Sequence, residues 1–136
     1  MSGKELRLKQ EYFFSSASVQ NVVDEFRKMN LSWSYFPKYN CLQLNDIHPT
    51  LALVELFPIL LEEKGLDYWA VFNIVQKTFN YTNHTELPEA LEKWGVDIFE
   101  RLLPRYLEII YLINYFFMED VRKNIKMMVI ERKIIN

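Results

Sequence analysis

One cysteine, two histidines and three glycines are all this 136-residue chain holds of those types, and each scarcity narrows its chemistry. Cys41 stands alone and closes no internal disulfide, which suits a reducing compartment. Three scattered glycines build no glycine-rich loop, and no P-loop lysine is present, so a phosphate cradle of that kind is excluded. Charge of one sign is missing too. Sixteen basic residues against 18 acidic leave a net charge of −2, which gives nucleic acid no electrostatic foothold. Long hydrophobic runs are also absent. The most apolar late stretch, IIYLINYFFM (109–118), spans ten residues, where roughly 18 to 20 are needed to cross a bilayer. The opening MSGKELRLKQ is polar and lacks the apolar centre of a secretory signal. A cytoplasmic chain with no membrane contact is the expectation.

What is present is enough for one domain. Half the residues are hydrophobic and 15% aromatic, so a core or a large buried interface is affordable. EYFFS (11–15) reads as a short aromatic strand. Ser16 or Ser18 then caps a helix through SVQNVVDEFRKM, where Val19, Val22, Val23 and Phe26 recur at helical spacing. Residues 30–39 read as a loop around Pro37, and 40–46 as a second strand. A helix follows over 49–64, with Pro49 in its first turn, a kink at Pro58 and Gly65 closing it. Asp67 caps the next helix, and 79–83 reads as a third strand. After Pro88 come a short helix, PEALEKW, and a long one over about 97–118, bent near Pro104. The tail mixes a basic helix with a strand end. This alternation predicts an α/β fold with a short parallel sheet, flanking helices and no internal domain boundary.

Two polar knots interrupt the apolar pattern in the same way. LQLNDIHPT places Asn45, Asp46 and His48 after one strand, and NYTNHTELPEA places Asn83, His84 and Thr85 after another. Each knot precedes a proline-led helix. Ligands of open parallel sheets bind beyond the carboxyl ends of the strands, where both knots fall. Asn, Asp, His and Thr, with Glu89 or Glu92 nearby and no adjacent Lys or Arg, suit a polyhydroxylated ligand that needs donors and acceptors together. Other readings stay open on pattern alone. Asp46, His48 and His84 are ordinary zinc ligand types, but no helical H-E-x-x-H or cysteine set accompanies them. Ser15, Ser16 and Ser18 lack the G-x-S-x-G elbow of a hydrolase nucleophile. In the plainest reading Asn45 and Asp46 only cap a helix, and both histidines are satisfied turn residues. Trp33, Trp69 and Trp94 read as core, and nothing singles out Lys77 or Lys93 to hold a cofactor aldehyde.

Three long blocks go further: GKELRLKQEYFFSSASVQNVV, LQLNDIHPTLALVELFPILLEEKGL and KTFNYTNHTELPEALEKWGVDIFERLLPRYLEIIYLIN. Together they resemble the α-glucan (glycogen or starch) phosphorylases over nearly the whole chain, in the family's order. The resemblance implies a part of the N-terminal lobe of a two-lobed, Rossmann-like enzyme of the GT-B type. Such enzymes transfer the terminal glucosyl unit of an α-1,4-glucan to phosphate and release glucose 1-phosphate. They use pyridoxal 5′-phosphate, whose phosphate takes part in the proton transfers, and the full-length enzyme is expected to be a homodimer. His84 matches the histidine at the glucose 6-hydroxyl, which stabilises charge developing on the sugar. Asp46 and His48 match an acid and a histidine of the pocket beyond the anomeric carbon, with Thr85, Ala90 and Glu92 lining the same region; Asn45 and Asn83 join the candidate substrate-binding set from their place in the two knots.

The departures from the family pattern are specific. Ile47 stands where a threonine is usual, Gly95 follows Trp94 in place of proline, Tyr106 replaces the histidine of LPRH, and Leu112 replaces a glutamate. Asp24 and Glu25 occupy the positions of two nucleotide-binding arginines, which argues against nucleotide activation through that helix. The loop around 29–39 and the tail after about 118 match poorly. The cofactor lysine, the basic residues for substrate phosphate and the C-terminal lobe are expected to lie beyond residue 136. The resemblance therefore predicts a chain that carries one wall of a glucosyl site and is inactive alone, because one wall cannot orient two substrates. The alternative is a non-catalytic remnant that binds glucan weakly or associates with an intact phosphorylase.

Overall fold

A computed structural model describes residues 3–87 and 93–134, with side chains described as far as Ile125. A 26-residue helix, α1 (Gly3–Lys28), opens the chain. A 3-10 turn, Trp33–Tyr35, runs into the short α2 (Phe36–Tyr39). Strand β1 (Leu42–Asn45) leads to α3 (Leu51–Pro58), a π-helical turn over Ile59–Glu63, and α4 (Tyr68–Thr78). Strand β2 (Phe79–Thr82) follows α4 directly. Helices α5 (Val96–Leu102) and α6 (Pro104–Ile134) complete the described fold. The architecture is α/β, mostly helical, with a short parallel sheet and a long C-terminal helix.

The strand expected at EYFFS is not there; those residues lie inside α1. The helical stripe begins further upstream than the aromatic run suggests. Leu8, Ser15, Ser16, Val19, Val23 and Phe26 are buried along one face, while Phe13 and Phe14 stay 65% and 69% exposed. Phe13 and Phe14 fall on the turn's outer side, away from the buried stripe. The small Ser15 and Ser16 take the inward positions, where bulkier side chains would hold α3 further off. Ser16 is therefore no helix cap. Its hydroxyl donates to the buried Glu55 on α3 at 2.8 Å, and Gln20 donates to the same carboxylate oxygen at 2.9 Å. Tyr106 of α6 donates to the other oxygen. One carboxylate thus ties three helices together with neutral donors.

Several other expectations need adjustment. The loop at 30–39 contains helical turns because Phe36 is fully buried against Phe26 and Trp33. Pro49 lies in a turn ahead of α3, where the amide of Ala52 donates to the Pro49 carbonyl at 3.0 Å. At Pro58 the missing N–H interrupts the α-helical ladder, and the chain rewinds as a π turn. Gly65 at φ 63° ends it in the left-handed region. Asp67 caps α4 as expected, accepting from the amides of Trp69 and Ala70 at 3.0 and 3.1 Å. Leu103 breaks the long helix and Pro104 starts α6, which runs on to Ile134 where a strand end was anticipated. The helix expected over PEALEKW falls largely on 88–92, outside the described residues.

Two strands are described where three were expected, because the first became helix. They pair in parallel, with Leu42 opposite Phe79, Gln43 opposite Asn80, Leu44 opposite Tyr81 and Asn45 opposite Thr82. That register places the carboxyl ends of both strands side by side.

Candidate functional site

Because Asn45 pairs with Thr82, the residues that leave the two strands emerge next to each other. The amide of Asp46 donates to the Thr82 carbonyl at 2.9 Å, extending the ladder one step past β1. Asp46 itself sits at φ 59°, a left-handed conformation that Asp and Asn tolerate better than other side chains. The turn this creates carries its carboxylate across to the second knot. Oδ1 accepts the backbone N–H of His84 at 2.7 Å and the Thr85 hydroxyl at 3.4 Å.

The rest of the knot is equally local. The Asn83 side chain folds over its own loop, donating to the Thr85 carbonyl at 3.0 Å and accepting the Thr85 amide at 3.1 Å. The His84 ring nitrogen Nε2 lies 3.3 Å from Asn45 Oδ1. Below the loops, Gln43 donates to the Thr82 hydroxyl at 2.9 Å. Asn45, Asn83 and His84 are exposed, Asp46 and Thr85 half-buried, so the cluster presents its polar groups at the surface. Five of the residues singled out from the sequence, Asn45, Asp46, Asn83, His84 and Thr85, are therefore one hydrogen-bonded assembly.

His48 is placed differently. It lines a groove of about 390 Å³ between α1 and β1, together with Arg7, Gln10, Phe14, Gln43 and Pro49. Ala90 and Glu92 lie outside the described residues. Among the described residues no group of three His, Cys, Asp or Glu side chains is arranged to hold a metal ion. No described helix is long and apolar enough to cross a membrane.

Two roles escaped the sequence reading. The Asn45 contact with the His84 ring depends on strand register, which no local pattern reveals. Glu55 carried a visible signal, a lone acid inside the apolar run TLALVELFPILL, but its partners Ser16, Gln20 and Tyr106 are distant in sequence.

A parallel strand pair with a donor and acceptor cluster at its carboxyl ends has the layout of the corner where open α/β sheets bind ligands. Comparison with known proteins gives that corner its family. The profile of the carbohydrate phosphorylases matches residues 1–136, and this chain belongs to that family. The chain is similar to the glycogen phosphorylase of Saccharomyces cerevisiae, 54% identical over 121 residues, which is 89% of the chain and 13% of that protein. It is 50% identical over 115 residues to α-glucan phosphorylase 1 of Arabidopsis thaliana, covering 82% of the chain and 12% of the relative. Against the glycogen phosphorylase of Chlamydia trachomatis the identity is 48% over 112 residues, or 82% of the chain and 14% of the relative. The chain thus spans about an eighth of the length of these relatives.

Proposed function

We propose that this chain is part of an α-1,4-glucan phosphorylase and carries one wall of its glucosyl site, within a single N-terminal lobe that has no boundary inside residues 1–136. The reaction replaces the glycosidic oxygen at the anomeric carbon of the terminal glucose with a phosphate oxygen. Glucose 1-phosphate leaves, and the freed oxygen of the shortened glucan takes the proton given up by the incoming phosphate and becomes its new terminal hydroxyl. The observation that carries this reading is the Asp46 to His84 tie at 2.7 Å, which fixes the family histidine at the carboxyl edge of the sheet. From there the His84 backbone and ring offer oriented dipoles to charge developing on the sugar. Thr85, Asn83 and Asn45 complete a rim of donors and acceptors suited to hydroxyl groups. Asp46 contributes to the sugar pocket, and the family resemblance assigns His48, Ala90 and Glu92 to it as well.

Pyridoxal 5′-phosphate is the cofactor this reading requires, and the knot does not fit it. Its groups are neutral or anionic, whereas a phosphate ester calls for cations or a nest of free amides. The cofactor lysine and the cations for substrate phosphate are assigned to the remainder of the polypeptide, which is also this chain's first partner. The full-length enzyme is a cytoplasmic homodimer on this reading, with glucan and phosphate as substrates. Nucleotide activation through α1 is not part of it. Asp24 and Glu25 pair there with Arg27 and Lys28, so the helix end has no free cation patch of its own at those positions.

The test replaces the matching segment of the Saccharomyces cerevisiae enzyme with this chain. The chimera is expected to release glucose 1-phosphate from maltoheptaose and phosphate, and the isolated chain is expected to release none. A folded, cofactor-loaded chimera without phosphorolysis would overturn the reading. Turnover by the isolated chain would overturn the one-wall assignment.

A further inference from the structure

We propose that Asn45 is a positioning residue that holds the His84 ring as its Nε2–H tautomer, leaving Nδ1 as a lone-pair acceptor for a sugar hydroxyl. The inference deepens the phosphorylase reading and rests on it for the identity of the ligand. It begins from a property of the neutral imidazole, which carries one N–H and one lone pair, on different nitrogens. Whichever nitrogen is engaged by the protein decides what the other can offer.

Asn45 Oδ1 stands 3.3 Å from His84 Nε2. An amide oxygen only accepts, so this contact is a hydrogen bond only when the proton is on Nε2. Nδ1 then keeps its lone pair, on a residue exposed at the surface, and the group it recognises must itself donate. A hydroxyl donates; an ether oxygen or a fluorine at the same place does not. The choice of tautomer therefore becomes a specificity filter for a free hydroxyl on the bound sugar.

Neighbouring residues divide the work. Asp46 holds the His84 main chain through its N–H, at 2.7 Å. Asn45 sits on the last register pair of the sheet, opposite Thr82, so its backbone is fixed by the ladder. The left-handed turn at Asp46, φ 59°, lets consecutive side chains reach the same histidine from different directions. One anchors the backbone and the other sets the ring.

The experiment is a long-range ¹H–¹⁵N correlation spectrum of the ¹⁵N-histidine-labelled 136-residue chain at about pH 8–9, where an ordinary imidazole is neutral. With two histidines in the sequence, His84→Gln assigns every signal. His84 is expected to show a protonated Nε2 and a pyridine-type Nδ1, with no averaging. Asn45→Ala is expected to lose that state and give shifts averaged between the two tautomers, and Asn45→Asp, which still accepts, to restore it. A proton on Nδ1 in the unaltered chain would overturn the proposal, as would an Asn45→Ala spectrum unchanged at His84. The unaltered chain is informative by itself, so a variant that fails to fold does not decide the matter. An inactive chimera would sink the phosphorylase reading and leave the tautomer result standing; the wrong tautomer would do the reverse.

Discussion

Asp46 is the residue on which the site closes, and its conformation explains why an acid with a short side chain is used. At φ 59° most side chains are strained, and Asp reaches the facing amide without a longer stem. Asp46→Gly removes that acceptor from a partly exposed loop without straining the left-handed backbone, and a hydrogen bond there contributes about 0.5–1.5 kcal/mol. The His84 amide is then expected to exchange its hydrogen up to about tenfold faster, with global stability nearly unchanged. Equal slowing or speeding across the whole core would contradict a local tie. Asp67 has a separate role, capping α4 through two amides. Asp67→Ala should lower stability by about 1 kcal/mol, read as a lower urea midpoint at constant slope. Tyr68 contributes pH dependence. Burial pushes its hydroxyl up to about 12, against about 10 in an unfolded chain. The folded state holds the proton longer, so the stability linked to this group is intact below about pH 10 and lost as pH rises toward about 12. The hydroxyl has no hydrogen-bond partner among the described residues. Tyr68→Phe should therefore fold normally and lose less stability than the unaltered chain between about pH 10 and about pH 12.

At the scale of elements, the informative contrast is between α1 and α3. The stretch from α3 through the π turn was legible because the apolar run marks its body and Gly65 its end, with Pro49 in the turn just ahead of it. Helix α1 was only half legible. Its second half shows helical spacing at Val19, Val22, Val23 and Phe26, but its first half hides the stripe behind exposed Phe13 and Phe14. What makes it one helix is tertiary: small serines facing a carboxylate on another helix, which no window of sequence displays. The family resemblance named the blocks correctly without revealing that contact. The Glu55 cluster is also where this chain departs from its family pattern, since Tyr106 fills the histidine position and donates to Glu55. Glu55→Ala leaves Ser16 and Gln20 of α1 and Tyr106 of α6 without their shared acceptor and is expected to cost about 2–4 kcal/mol. Tyr106→Phe should cost about 1–2 kcal/mol, and the double variant less than the sum, because both changes remove the same bond. Additive losses in urea unfolding would mean that the pair does not act as a unit.

For the whole molecule, the site is a consequence of sheet register. Two strands of four residues each carry no chemistry themselves. Their parallel pairing brings Asn45 and Asp46 of one motif against Asn83, His84 and Thr85 of the other, although Asp46 and His84 stand 38 positions apart in sequence, and makes one rim of them. The sequence reading placed both knots at strand ends and so anticipated their meeting. It could not say which atoms would touch, because a shift of one residue in pairing would move Asp46 away from His84. The exposed faces fit the same picture. Phe13, Phe14 and Tyr81 are half or more exposed around a sheet of two described strands, as expected of part of a larger lobe. The central claim is that His84, held in this way, serves glucosyl transfer. It is tested most directly by the kcat of the Saccharomyces cerevisiae chimera with and without His84→Ala, both loaded with cofactor and compared at saturating maltoheptaose and phosphate. A loss of about 10²–10³-fold in the folded variant is the predicted result. Activity within a few-fold of the unaltered chimera would contradict it.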